Sequence, residues 1–256
     1  MTAAAPPGSL RMKNALLREQ SRKPVDSRRY KTENGQPKQP RTAPMTQPPA
    51  SPPQFTALWP TTFMRHILPG AEAANPVLAE LIEEMDKTAA DMTADYLGDD
   101  LFAHPHPALG WLKSCIDRAV LDYARHTGVD YDLDWRLQAW PNVNRFGDYH
   151  NLHNHPHSWL SGTYYVRVPP GETPGDGRSD RNPNAISFFD PRPQANMLAI
   201  RGDPQVDPEH RLLPQAGDVL VWPAFLHHLV HVNLAQEARI SVSFNVVLRW
   251  RDDYLP

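Results

Sequence analysis

The stretch His150-Asn151-Leu152-His153-Asn154-His155-Pro156-His157-Ser158-Trp159-Leu160-Ser161-Gly162-Thr163-Tyr164-Tyr165-Val166 decides how this chain is read. From Trp159 onward it is aromatic and apolar, the composition of a buried strand. Before that, His153 and His155 stand one residue apart. On an extended backbone both imidazoles leave the same side, about 7 Å apart along the chain. A third histidine from a distant strand can close a facial triangle around a metal ion. His228 is placed for this, because it follows Gly217-Asp218-Val219-Leu220-Val221-Trp222-Pro223, a turn and strand after which the chain doubles back. Further on, Arg239-Ile240-Ser241 sets a guanidinium and a hydroxyl on one face of the last long strand, where they can grip the carboxylate of an anionic co-ligand. Order and spacing together point to a non-haem iron site.

Other histidines compete for these places. The chain has 12 of them. His150 rivals His153, and His227 and His231 rival His228. Read singly, each is equally a solvent-facing loop residue, and Arg239 alone reads as a surface arginine on an edge strand.

Around this segment the chain divides by composition. Residues 1–54 hold ten prolines, and through Thr56 there are 10 basic against 3 acidic residues, about +7. With no apolar periodicity, this segment reads as a disordered, Pro-rich basic tail. The remainder, 55–256, carries 16 basic and 26 acidic residues, about −10. An acidic body argues against a nucleic-acid partner. No apolar run is long enough to span a membrane, and the start shows no secretory apolar segment. The single cysteine, Cys115, cannot form an internal disulfide and sits in a helical pattern, so a reducing, cytoplasmic setting is expected.

Two helices are expected first. One starts at Asn75-Pro76 and carries the face Val77, Leu78, Leu81, Ile82 and Met85. The other runs from about Ala108 to His126, with Leu109, Leu112, Ile116, Val120 and Tyr123 at helical spacing and Gly128 as its stop. The period then changes to two. Leu133, Trp135, Leu137 and Ala139 alternate, and further strands are expected at Trp159–Val168, Ile186–Phe189, Met197–Ile200, Asp218–Trp222, Leu226–Val232 and Arg239–Leu248. Two helices followed by seven or eight short strands imply an α+β fold. Its core would be a jelly-roll, or double-stranded β-helix, with the N-terminal helices packed outside and the site in its mouth. The Gly- and Pro-rich loop Pro169–Asn184 is a candidate lid.

Together these blocks resemble the Fe(II)/2-oxoglutarate-dependent oxygenases, and within them a subfamily with a His-x-His-Pro…Leu-Ser-Gly-x-Tyr-Tyr pattern. The similar residues run from Gly147 to Val166. They continue with Phe189-Asp190-Pro191-Arg192, Pro214, Gly217-Asp218, Trp222-Pro223, His228 and Arg239 to Asn245. The resemblance spans about Trp140 to Asn245. It implies a dioxygenase that binds Fe(II) and 2-oxoglutarate and hydroxylates a small molecule or a protein side chain, releasing succinate and CO2. By the same resemblance His153, His155 and His228 hold the metal, and Arg239, Ser241 and Tyr165 hold the distal carboxylate of 2-oxoglutarate. Asn142 also touches the co-substrate. The sequence departs from the usual His-x-Asp/Glu…His set, because His155 stands where the carboxylate normally is. Three neutral ligands would leave the iron one unit more positive. Either His155 ligates, or it lies behind the iron and His150 is the fallback ligand.

Two other readings fit parts of the pattern. Gly217-Asp218…Pro223…His228 also resembles a cupin motif, which implies a metal enzyme without 2-oxoglutarate. Against this, no glutamate follows His153-x-His155 between Pro156 and Ser161, and Arg239 would lack a purpose. Alternatively, the fold is a metal-free jelly-roll binding module, with Trp140, Trp159 and Trp222 as sugar platforms. The substrate and the oligomeric state are not encoded in any readable motif.

Overall fold

Period-two alternation in the long strands sorts their side chains into two sets, and the architecture follows from where each set is buried. The computed structural model describes residues 56–57, 59–89, 100–170, 182–193 and 206–249. The expected tail 1–54, the expected strand Met197–Ile200 and the middle of the loop Pro169–Asn184 lie outside the described residues. In chain order the elements are β1 (Met64–Ile67), α1 (Ala71–Asp86), a one-turn 3-10 helix (Leu101–Ala103), α2 (Pro107–His126), β2 (Trp135–Asn144), β3 (His150–His153), β4 (Leu160–Arg167), β5 (Ile186–Phe189), β6 (Glu209–Leu212), β7 (Asp218–Pro223), β8 (His228–Val230) and β9 (Arg239–Leu248).

The strands form two sheets, one ordered β1-β7-β4-β9-β2 and the other β3-β8-β5-β6. Every pairing is antiparallel. On one face of the five-stranded sheet, Leu137, Ala139 and Val143 of β2, Leu160, Tyr164 and Val166 of β4, Val219 and Val221 of β7, and Ile240, Val242, Phe244 and Val246 of β9 share one core with Leu78 and Ile82 of α1 and Leu109, Leu112, Ile116 and Val120 of α2. The helices thus pack on one side of this sheet. Each Val, Leu, Ile or Phe among them contributes about 1.5–3 kcal/mol when fully buried. The intervening positions face the other way. There Tyr165, Leu220 and Trp222 meet Ile186, Phe188 and Leu226 in a second, smaller core. The rest of that inner face is polar yet buried: Asn142, Asn144, Ser161, Thr163, Arg239 and Ser241 are each 8% exposed or less. So much polar side chain out of water must be paired internally or by a ligand.

Gly162 shows how tightly the helix side of the sheet is packed. A Cβ there would overlap the Phe244 ring and the Leu220 carbonyl. Gly162→Ala is therefore expected to lower stability by about 1–3 kcal/mol, read as a fall in the urea midpoint at unchanged m-value.

Two expectations need correction. Helix α1 starts not at Asn75-Pro76 but at Ala71, after Gly70, whose φ of 89° makes the left-handed entry. Pro76 lies inside the helix on its exposed side, and Asn75, instead of capping, accepts a hydrogen bond from the Tyr164 hydroxyl at 2.5 Å. Val77, counted to the apolar face, is exposed. Strands β1, β3 and β6 carry no apolar alternation and were not expected.

Candidate metal centre

The pairing of β3 with β8 makes His153 and His228 direct cross-strand partners. Their ring centroids are 4.3 Å apart. His155 comes from the turn after β3. Its backbone N–H donates to the Ala224 carbonyl at 2.9 Å, while Ala224 N–H donates to the Trp159 carbonyl at 3.1 Å. These bonds clamp the β3–β4 turn to the β7–β8 turn and bring the His155 ring 5.1 Å from His153 and 5.2 Å from His228. All three residues offer a ligand nitrogen, and no two of these atoms are more than 4.8 Å apart. Nitrogens bound about 2.1 Å from one ion on a shared face lie about 3 Å apart, so the rings would close the set by turning toward a common point.

Two of the rings are oriented by backbone carbonyls. Nδ1 of His153 lies 2.6 Å from the Asn151 carbonyl, and Nδ1 of His228 lies 3.0 Å from the Leu226 carbonyl. A carbonyl only accepts, so each Nδ1 carries the proton and each Nε2 presents its lone pair, the usual arrangement behind a metal-bound histidine. Burial, reinforced by the neighbouring His153, pushes His228 down to about 2 and His155 down to about 4. Their lone pairs are thus available throughout the neutral range. Trp222 stands edge-on to His228 with centroids 4.9 Å apart, Phe188 stacks on it at 5.7 Å, and Trp140 lies 6.0 Å from His155. These rings pack around His228 and His155, and of the three histidines only His228 is fully buried.

The competing histidines have other roles. His150 Nε2 is 3.1 Å from the Asn144 amide nitrogen, which makes it an acceptor already engaged. His231 Nε2 is 2.7 Å from Ser187 Oγ, and His227 is exposed.

The proposed carboxylate-binding residues converge on the inner face. Asn142, Ser241 and Tyr165 form one cross-strand row over β2, β9 and β4. Arg239 lies two positions from Ser241 on the same face. It is 1% exposed, and β9 is a central strand rather than an edge. Its Nη2 donates to Asn144 Oδ1 at 2.9 Å, and its Nη1 donates to the His231 carbonyl at 3.3 Å and to Asn184 Oδ1 at 3.5 Å. Its Nε is buried without a partner among the described residues. Burial pulls the guanidinium down to about 10, opposed by the nearby Tyr165 and Asp148, so it stays charged at neutral pH. Burial raises the Tyr165 phenol, and the charge of Arg239 partly offsets this. Asn142 Nδ2 donates to Ser243 Oγ at 3.0 Å and reaches Ser241 Oγ at 3.5 Å, leaving Oδ1 buried and unpartnered.

Sequence reasoning missed Asn144, Asn184, Phe188 and the indole N–H of Trp222, which is buried without a partner. Only Asn144 had a usable signal, being two residues after Asn142 on the same strand face. The Asp190-Pro191-Arg192 motif forms an ion pair apart from the three histidines, and the Arg192 hydrogen bonds hold the Asp190 carboxyl below its ordinary range. No helix among the described residues is long and apolar enough to cross a membrane.

The described residues thus hold a three-histidine group that could bind a metal ion and a buried arginine whose Nε–H has no partner. Residues 138–245 match the family model described as "Putative 2OG-Fe(II) oxygenase". Fe(II) and 2-oxoglutarate are the metal and co-substrate of that family. No curated protein matches the chain. Among solved structures, the chain is similar to a prolyl-4-hydroxylase from Pseudomonas putida at 14% identity, covering 73% of this chain and 88% of that one, with a TM-score of 0.48. It is similar to HygX from Streptomyces hygroscopicus with nickel and 2-oxoglutarate bound at 13% identity, covering 73% and 82%, with a TM-score of 0.47. A third is AviO1 from Streptomyces viridochromogenes, at 14% identity, 73% and 90% coverage and a TM-score of 0.45.

Proposed function

We propose that this oxygenase is a hydroxylase whose iron is held by His153, His155 and His228 and whose 2-oxoglutarate is held by Arg239, Ser241, Tyr165 and Asn142. The catalytic domain is residues 55–256, with 1–54 as a tail outside it. The observation that carries the reading is the buried, unpartnered Nε–H of Arg239 on the same inner face as Ser241 and Tyr165. A carboxylate satisfies that donor, and few other ligands do so as well. The strand orders β2-β9-β4-β7 and β3-β8-β5-β6 support a double-stranded β-helix as the core.

The residues fit the group they would hold. Three imidazoles, two of them with Nδ1–H anchored on backbone carbonyls, would suit ferrous iron. Bound there, Fe(II) and 2-oxoglutarate supply the oxidising chemistry, in which O2 is consumed, the co-substrate becomes succinate and CO2, and the substrate is oxidised. Arg239 would take the distal carboxylate through Nε–H, with the Ser241 and Tyr165 hydroxyls as further donors. Asn142 takes part if its amide is turned over. Oδ1 then accepts from the Ser243 hydroxyl, and Nδ2 becomes an inward donor. Trp222 and Phe188 shield His228, and burial of Arg239 would strengthen its contact with a carboxylate. The substrate is a small molecule or a protein side chain, and the lone Cys115 supports a reducing, cytoplasmic setting.

Incubating the purified chain with Fe(II), 2-oxoglutarate and air tests this. Succinate is expected even without substrate, by slow uncoupled turnover, and a chelator should stop it. Succinate no faster than with free iron alone would end the reading.

A further inference from the structure

The hydrogen bonds around Arg239 are arranged asymmetrically. A guanidinium has five N–H donors, two on each terminal nitrogen and one on Nε. Both Nη1 contacts and one Nη2 contact go to protein oxygens, namely the His231 carbonyl, Asn184 Oδ1 and Asn144 Oδ1, while Nε has none. The Asn144 contact is the shortest of the three, at 2.9 Å, and both partners are at most 1% exposed. Asn144 is itself fixed from three directions. Its backbone carbonyl accepts from Asn233 Nδ2 at 2.9 Å, its register against Arg239 is set by the β2–β9 pairing, and its Nδ2 faces His150 Nε2 at 3.1 Å. Because Nδ2 is committed to His150, Oδ1 must face the guanidinium. The amide cannot turn over without setting N–H groups against one another.

We propose that Asn144 is a positioning residue that determines co-substrate specificity. By holding one end of the Arg239 guanidinium, it keeps the side-on fork, Nε–H with the remaining Nη2–H, turned inward, so that the site selects a 2-oxo acid with a second, distal carboxylate. Asn184 assists from the Nη1 end. This inference rests on the assignment of Arg239 to the co-substrate. It adds a residue that touches neither iron nor ligand and links the arginine to His150, whose ring lies 6.4 Å from that of His153.

The test uses the full chain, loaded with Fe(II) under anaerobic conditions. It is titrated by visible charge-transfer absorbance with 2-oxoglutarate and with 2-oxopentanoate, which has the same chain length but no distal carboxylate. In Asn144→Ala, 2-oxoglutarate is expected to bind about 10-fold more weakly or worse, the effect of losing one charge-assisted hydrogen bond, while 2-oxopentanoate binds as in the unaltered chain. The preference between the two acids therefore narrows. Asn184→Gly is a second variant that does not depend on the first folding well. Asn184 has a φ of 62°, a conformation glycine accepts without strain, so only the amide is lost. It should narrow the preference in the same direction by a smaller factor. An unchanged preference in both variants overturns the proposal, as does equal weakening of both acids, which would mark a merely structural role. If the unaltered chain shows no absorbance change with 2-oxoglutarate, the assignment of Arg239 is what has failed.

Discussion

His228→Ala is expected to abolish stable iron binding and to reduce succinate formation by at least about 100-fold, because changes to groups that merely orient a ligand already cost 10–100-fold in affinity or activity. His228 is 3% exposed, faces His153 across the β3–β8 pair and is held by the Leu226 carbonyl. Without it, only His153 and His155, from one short segment, would remain to hold the ion. The hole left under Trp222 and Phe188 also costs stability, so iron content per chain after gel filtration must be read alongside the melting temperature. His227→Ala is the matched control. It removes the adjacent exposed histidine and should keep one iron per chain. Retention of iron by His228→Ala would take this residue out of the metal set.

The second large effect is expected at Arg239. Arg239→Met should raise the KM for 2-oxoglutarate roughly 30-fold to several thousand-fold, the range for removing one partner of a buried, hydrogen-bonded charge pair, about 2–5 kcal/mol. Iron content should be unchanged, because the guanidinium does not ligate. Arg239→Lys keeps the charge but loses the planar fork, so it should fall between the two. Both variants leave Asn144 Oδ1 and Asn184 Oδ1 short of a donor, and some loss of stability is expected with each. If KM is unmoved in Arg239→Met, a co-substrate carboxylate does not bind at this residue.

Much of this was legible in the sequence, and the failures have a common physical cause. Strands β4 and β7 are buried along almost their whole length, packed against helices on one face and against β5 on the other, and their composition shows it. The unexpected strands β1, β3 and β6 are all edge strands. With one neighbour each and open flanks they need no apolar alternation, and Met64-Arg65-His66-Ile67 or Glu209-His210-Arg211-Leu212 offers none. The start of α1 was misread because Asn75-Pro76 looks like a cap, whereas Gly70 makes the entry and Asn75 bonds Tyr164, 89 residues away. The three-histidine cluster was legible because two of its members share a His-x-His spacing and the third follows a recognisable turn and strand. Asn144 and Asn184 were not. Their contacts to Arg239 cross 95 and 55 residues of sequence, and the strand spacing that places Asn144 on the face of Asn142 does not name its partner. The contact between His150 and the Asn144 amide was likewise not encoded in any local pattern.

The most direct measurement is an anaerobic titration of the Fe(II)-loaded chain with 2-oxoglutarate, followed by visible absorbance. Three imidazoles sharing one ferrous ion beside an open arginine predict a saturable charge-transfer band at one equivalent per chain, absent in His228→Ala and shifted to much higher co-substrate concentration in Arg239→Met. A chain that binds one iron yet shows no band at any 2-oxoglutarate concentration would contradict the account.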